Sequence, residues 1–269
     1  MLFNWKKGKL KLIVQAAGCI LILAFTALAM LWNHYLNKNS LFERFVTKQN
    51  QEVYLLGTFH TNHFNRWLHY SMEDMLSAVE NVAPDVVFIE AREKYFQEYG
   101  VVDGPIDMNV VYSYCLDNEI PVEMIDWWEV DNHYQSNTTS AVRDDHIFAN
   151  INDKLRQLDE GTKVLVVCGA GHFYEQTDRF CQEGFKKDAI SSKKSYFKTE
   201  KAEFSYPSSA AWVWEKRAYF YAYTYPEIIG GYEDLDESIK RQFTDGNHDA
   251  FYEQQIEYCN LFDENVLFS

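Results

Sequence analysis

The chain has 269 residues, 47% of them hydrophobic and 16% aromatic, a composition that excludes an intrinsically disordered protein. Residues 49–269 carry 18 basic and 39 acidic side chains, and this negative charge argues against binding to nucleic acid or anionic lipid headgroups. Without an N-terminal segment, about 220 residues remain, enough for one domain with a full hydrophobic core.

The N-terminal segment has the pattern of a membrane anchor. Four lysines between residues 6 and 11 precede an apolar run over 12–32, which is long enough to cross a hydrocarbon core of about 30 Å. Because basic residues stay on the cytoplasmic side, the pattern predicts a single-pass protein whose domain lies outside the cytoplasm. Ala27-Leu28-Ala29 also fits the cleavage site of a signal peptide, so a cleaved and exported form stays open.

This pattern divides the chain into three predicted parts. Residues 1–36 form the signal anchor, and the polar residues 37–51 are expected to be a linker. Residues 52–269 form a single domain whose C-terminal part is rich in aromatic residues.

Apolar strand patterns alternate with helical patterns along this domain. Strands are predicted at 53–57, 86–90, 121–126 and 163–169, and helical spacing between and after them covers 68–79, 107–117, 140–158 and 173–183. Alternation of this kind predicts an α/β fold, with a mainly parallel sheet and helices on both faces. The aromatic stretch over 212–225 is expected to serve mainly packing, although a wall over a substrate crevice is the alternative.

Two short motifs bring histidines to the ends of predicted strands. Gly57-Thr58-Phe59-His60 follows the first strand, and Gly169-Ala170-Gly171-His172 follows the fourth. In open α/β sheets, ligands bind at the carboxyl ends of the strands, so both imidazoles are expected at the binding edge. A carboxylate, Glu90, ends the second strand, which we expect to lie beside the first. Two imidazoles and a carboxylate are typical of a metal or acid–base site.

A cation is also expected at this site. Arg143 lies four residues before Ile147 and therefore projects from the apolar face of its predicted helix. A cation there either pairs with a buried acid, with Glu90 as the expected partner, or binds an anionic group of a ligand. Arg92 is the alternative partner for Glu90. Asp126 ends the third strand and is a weaker candidate, and His63 is a weak candidate ligand.

These residues resemble a known family. The paired G-x-x-H motifs, the intervening segment 84–90 and Arg143-Asp144-Asp145 are similar to the TraB/PrgY/GumN/TIKI group, over roughly residues 52–185. That group is related more distantly to erythromycin esterases and to ChaN-like haem-binding proteins. Animal TIKI members are described as metal-dependent proteases, and PrgY-like members as pheromone-shutdown proteins.

The resemblance implies two kinds of function. The first is a membrane-anchored hydrolase for a peptide or small molecule, with a divalent ion (Mn, Co or Zn) held by His60, His172 and Glu90. Glu90 would be a ligand or general base there, and Arg143 its partner; a metal-free variant uses His60 as the base. The second is a non-catalytic protein that sequesters a peptide signal, or binds haem through His60 or His172.

Other familiar sites are absent from the sequence. It contains no H-E-x-x-H, no G-x-S-x-G and no G-x-x-x-x-G-K-[ST], so zincin, serine-hydrolase and phosphate-loop chemistry have no support. Four cysteines follow the anchor. In an oxidising compartment they could form one or two disulfides.

Overall fold

The computed structural model describes residues 2–35, 37–133, 141–198 and 203–263. Within these residues, strands β1 to β6 span Phe42–Val46, Glu52–Thr58, Val86–Arg92, Val122–Asp126, Lys163–Gly169 and Lys186–Asp188. Helices α1 to α6 span Leu2–Tyr35, Met72–Val82, Glu93–Tyr99, Ile106–Asp117, Ala141–Leu155 and Ala170–Glu183. Helices α7 to α11 span Lys193–Tyr196, Ala210–Tyr219, Tyr225–Gly230, Glu237–Thr244 and His248–Asp263.

The strands form one mixed sheet in the order β4-β3-β5-β2-β1-β6. β2, β5, β3 and β4 pair in parallel, and β1 runs antiparallel to both β2 and β6. The predicted α/β class and the mainly parallel sheet are therefore confirmed. The expectation that β2 and β3 are neighbours is wrong, because β5 lies between them.

The expected linker over 37–51 is corrected by the fold. It contains a 3-10 turn, Lys38–Leu41, and the whole of β1, which pairs residue by residue with β2. The charged residues of this segment interrupt the apolar pattern that would have predicted a strand. In Phe42-Glu43-Arg44-Phe45 only the two aromatic side chains are buried. Arg44 pairs with Glu52 and Asp188 at the surface.

Helices pack against both faces of β2. Gly57 faces α6, since a Cβ at that position would lie 3.0 Å from Phe173 Cβ. Tyr54 points to the opposite face, where its ring lies 6.0 Å from that of Tyr196 in α7. The central strands between these layers are almost fully buried, which explains their continuous apolar runs.

The aromatic stretch forms α8, a π-helical segment over Phe220–Thr224 and α9. Trp214, Phe220 and Tyr225 are buried, and Phe220 and Tyr225 pack against Tyr95 in a second apolar cluster. Trp212 and Tyr219 of the same stretch are more than half exposed. Packing is thus the main role of this stretch.

The first helix, α1, exposes its apolar residues. Large side chains between Ile20 and Trp32 are 42–78% exposed, and side chains in this helix are described only for Gln15 and 17–32. Among the residues described, no helix has both the length and the apolar character needed to cross a membrane. The anchor predicted over 12–32 falls partly outside the described side chains and stays a prediction.

All five cysteines are free thiols.

We expect Gly57→Ala to destabilise the protein by about 1–3 kcal/mol, since the new methyl group would meet Phe173 and Leu41 Cβ atoms at 3.0 and 3.1 Å. Gly171→Ala is the matched control in the second motif. Nothing lies within 4 Å of a Cβ there, so it should be neutral or stabilising by up to about 1 kcal/mol. Urea unfolding of the full-length variants measures both values, and equal midpoints would contradict this packing.

Candidate active site

Three neighbouring strands bring the predicted site residues together at their carboxyl ends. His60 begins a 3-10 turn, His60–Phe64, just after β2, and His172 lies in the first turn of α6 after β5. Glu90 lies near the end of β3, on the other side of β5 from His60. The insertion of β5 between the other two strands makes its last residue, Gly169, the meeting point of the site.

Glu90 is buried, with only 3% of the residue exposed. One carboxylate oxygen, Oε2, accepts a hydrogen bond of 2.6 Å from the backbone N–H of Gly169. The other, Oε1, accepts one of 2.9 Å from Arg143 and lies 3.4 Å from His172 Nε2. The pairing of β3 with β4 shifts register between Ile89 and Arg92, and Glu90 lies within this irregular stretch. Bulges commonly redirect a side chain beside an active site.

Arg143 joins two strand ends. Its Nε donates to Asp126 Oδ1 and its Nη2 to Asp126 Oδ2, each at 2.9 Å, and Nη2 also reaches Glu90. Burial disfavours the charged guanidinium, but Asp126 and Glu90 outweigh it and raise the pKa of Arg143. The expected pairing with Glu90 is therefore present, and Asp126 shares it. Arg92, the alternative partner, pairs with Asp103 instead.

His60 is fixed by a single buried acid. Asp107, in the first turn of α4, lies 3.1 Å from His60 Nδ1 and also accepts the backbone N–H of His60 at 3.2 Å. These bonds hold His60 in a left-handed conformation with φ of 55°, which is strained for a side-chain-bearing residue. Burial opposes protonation, but Asp107 and Glu90 raise the pKa of His60 to about 9. His60 is thus an imidazolium at neutral pH.

The free nitrogen of His60 points toward Gly169 and Glu90. A Cβ on Gly169 would lie 2.7 Å from His60 Nε2 and 3.3 Å from Glu90 Oε2. The distance between His60 Nε2 and Glu90 Oε2 therefore cannot exceed the sum of these two distances. Only glycine at position 169 leaves room for the imidazole. The side chain of His60 is 37% exposed, which makes it the accessible member of the site.

His172 repeats this arrangement. Its Nδ1 lies 2.7 Å from Asp144 Oδ1, while Nε2 faces Glu90. Gln176 donates to the backbone oxygen of Asp144 and so fixes that residue. Burial disfavours the charged imidazole, but the hydrogen bond to Asp144 and the nearby Glu90 raise the pKa of His172.

Glu90 is the buried carboxylate that lies between the two histidines. Burial raises its pKa, and the nearby His172, His60 and Arg143 only partly offset that effect. A carboxylate with a raised pKa beside two histidines with raised pKa values places a group that can accept a proton next to groups that can donate one.

The sequence predicts a metal site formed by His60, His172 and Glu90. Each imidazole has Nδ1 on a carboxylate and Nε2 toward Glu90, as metal-binding histidines do. However, in the described part of the chain no group of three or more His, Cys, Asp or Glu side chains is placed to hold a metal ion. Arg143 also donates to the Glu90 oxygen that faces His172, and a cation there opposes a second one. As placed, the side chains do not fit a metal, and the divalent ion stays a prediction.

Two acids that complete the site lay outside the sequence-based candidates. Asp144 directly follows Arg143, which was a usable signal. Asp107 has the sequence pattern of an acid favouring a helix N-terminus, and nothing in the sequence connects it with His60. His63 is fully buried and structural: its Nε2 accepts the Phe59 N–H, and its Nδ1 bonds to the Tyr70 carbonyl oxygen. Burial lowers the pKa of His63, which keeps it neutral.

Comparison of the chain with known protein families, with characterised proteins and with solved structures gives no match. The resemblance to the TraB/PrgY/GumN/TIKI group therefore stays a prediction from the motifs.

We expect Asp107→Asn to lower the pKa of His60 from about 9 toward the ordinary value of about 6.5, because the variant removes the anion that stabilises the imidazolium. NMR titration of the His60 ring measures this directly. The raised pKa stabilises the fold fully below pH of about 6.5, and this contribution is lost as the pH rises through about 9. In the variant, unfolding free energy should vary less across that window. An unchanged His60 titration would contradict the assignment.

Proposed function

We propose that this protein is a hydrolase of peptide or other acyl bonds, anchored by its N-terminal segment with the active site outside the cytoplasm. The observation that supports the chemistry is the buried Glu90 carboxylate, with a raised pKa, between two histidines whose Nδ1 atoms are held by acids. The exposed apolar side chains of α1 support the anchor. The motif resemblance supports a peptide substrate.

Each residue of the proposed site has a role that its contacts support. Glu90 accepts a proton from a water molecule as the water oxygen attacks the acyl carbon. His60 Nε2–H donates to the departing nitrogen or oxygen as the acyl bond breaks, and the proton on Glu90 then restores the imidazolium. In its protonated form, His172 stabilises the negative charge that develops on the acyl oxygen. Arg143 is a positioning residue, since it holds Glu90 and Asp126 in place.

We expect Glu90→Gln to abolish turnover, because the amide cannot accept the proton from water. Release of fluorescence from a library of quenched peptides, followed by mass spectrometry of the products, measures turnover. Glu98→Gln is the matched control: Glu98 is exposed on α3, and its substitution should leave activity unchanged. Unfolding free energy should fall by about 1–3 kcal/mol in Glu90→Gln, since Arg143 keeps Asp126 as a partner. Full activity of a folded Glu90→Gln protein would refute the proposal.

The rate should depend on pH through His60. Because His60 donates the proton, hydrolysis by the wild-type protein should fall as the pH rises through about 9. In Asp107→Asn the same fall should occur at lower pH. A rate that keeps rising above pH of about 9 would remove His60 from the role of acid.

Metal content of the purified protein distinguishes the remaining alternatives. Turnover that survives chelation, with no stoichiometric metal by elemental analysis, supports the acid–base form. Bound metal that is lost in His60→Ala and His172→Ala supports the metal-dependent form. Binding of a peptide or haem without any turnover supports a sequestering protein and overturns the hydrolase.

A further inference from the structure

We infer that the active-site edge of the sheet faces the membrane, so that the substrate is a peptide held at the bilayer surface. This inference rests on the proposed function. It is supported by the path along which the chain enters the domain and by the exposed residues near that path.

The direction of β1 fixes the side of entry. β1 is antiparallel to β2, and its first residue, Phe42, pairs with Leu56, two residues before β2 ends. The chain therefore arrives from α1 at the carboxyl ends of the parallel strands, which is the edge that carries His60, Glu90 and His172. A parallel β1 would have brought the chain in at the opposite edge.

The entry point is fixed to the domain. In the 3-10 turn before β1, Leu41 is fully buried, and its side chain lies against Gly57 of β2. Lys38 forms an ion pair with Asp74, near the N-terminus of α2. The chain is thus held at the site edge from residue 38 onward.

The path between the predicted anchor and this point is short. Two residues lie between Tyr35, the last residue of α1, and Lys38, and the three Cα–Cα steps from one to the other span about 11 Å at most. The exposed apolar side chains of α1 continue to Trp32, 42% exposed, and tryptophan is favoured at membrane interfaces. With residues 12–32 in a bilayer, the site edge lies close to the headgroups and the far edge about 20 Å beyond, since β2 has seven residues.

A second exposed tryptophan lies at the same edge. Trp67 is 70% exposed in the turn Arg66–Leu68, which begins one residue beyond the turn that starts with His60. A large aromatic side chain exposed at this edge suits contact with the interfacial region of a zwitterionic bilayer. His60, seven residues earlier and with 37% of its side chain exposed, begins the preceding turn at the same strand end.

Membrane depth is the first test and does not require activity. Trp67→Cys and Gln49→Cys, at the site edge and in the turn between β1 and β2, are labelled with bimane in full-length protein carrying Cys19→Ser and Cys181→Ser. The protein is reconstituted in phosphatidylcholine vesicles with brominated acyl chains. We expect loss of fluorescence at position 67 and none at position 49. A label at Phe25→Cys reports the anchor: quenching there without quenching at 67 overturns the orientation, and no quenching at 25 refutes the anchor.

Cleavage is the second test. A peptide that the wild-type protein cleaves is compared in vesicles with and without a palmitoyl chain. Insertion of two EAAAK repeats between residues 36 and 37 lifts the site by about 15 Å. We expect it to reduce cleavage of the palmitoylated peptide several-fold and leave the soluble peptide unaffected, because only the former loses its high effective concentration. The same repeats after Ser269 are the control. Equal cleavage with and without the spacer overturns the inference, whereas no cleavage of any library peptide refutes the hydrolase and leaves the depth result standing.

Discussion

The buried carboxylate of Glu90 is the constraint on which the site depends. An ionised carboxylate without partners is costly in a protein interior, and here it gains a backbone N–H, a guanidinium and a neighbouring imidazole. These partners come from α5, from the end of β5 and from the first turn of α6, so the position of Glu90 is coupled to each of these elements.

Acids and bases alternate outward from Glu90. Asp126 holds Arg143 on one side, Asp144 holds His172 on the other, and Asp107 holds His60 opposite Gly169. Each basic group therefore touches an acid that does not face the site. The outer acids raise the pKa of the histidines, while burial raises that of Glu90, and proton donors and an acceptor coexist within a few ångströms.

The antiparallel strand β1 joins the proposed membrane segment to the candidate site. It covers the edge of β2 and is covered in turn by the short, charged β6, which leaves Lys186 and Lys187 exposed at the outer edge. Because β1 enters beside the site, the same strand that completes the sheet also sets the side on which the proposed anchor lies. The stability of the sheet and the proposed orientation of the domain relative to the anchor thus both depend on β1.

The sequence alone determined the parallel strands, the helices between them and the presence of His60, Glu90 and His172 at strand ends, because buried strands and amphipathic helices leave clear hydrophobic periods. It also indicated the pairing of Arg143 with Glu90, since a cation on an apolar helix face requires an acid. Only the tertiary structure decided that β5 lies between β2 and β3, that β1 belongs to the sheet, and that Asp107 and Asp144 hold the two histidines. Strand order and contacts across many residues depend on how separate elements pack, and no local pattern in the chain records them.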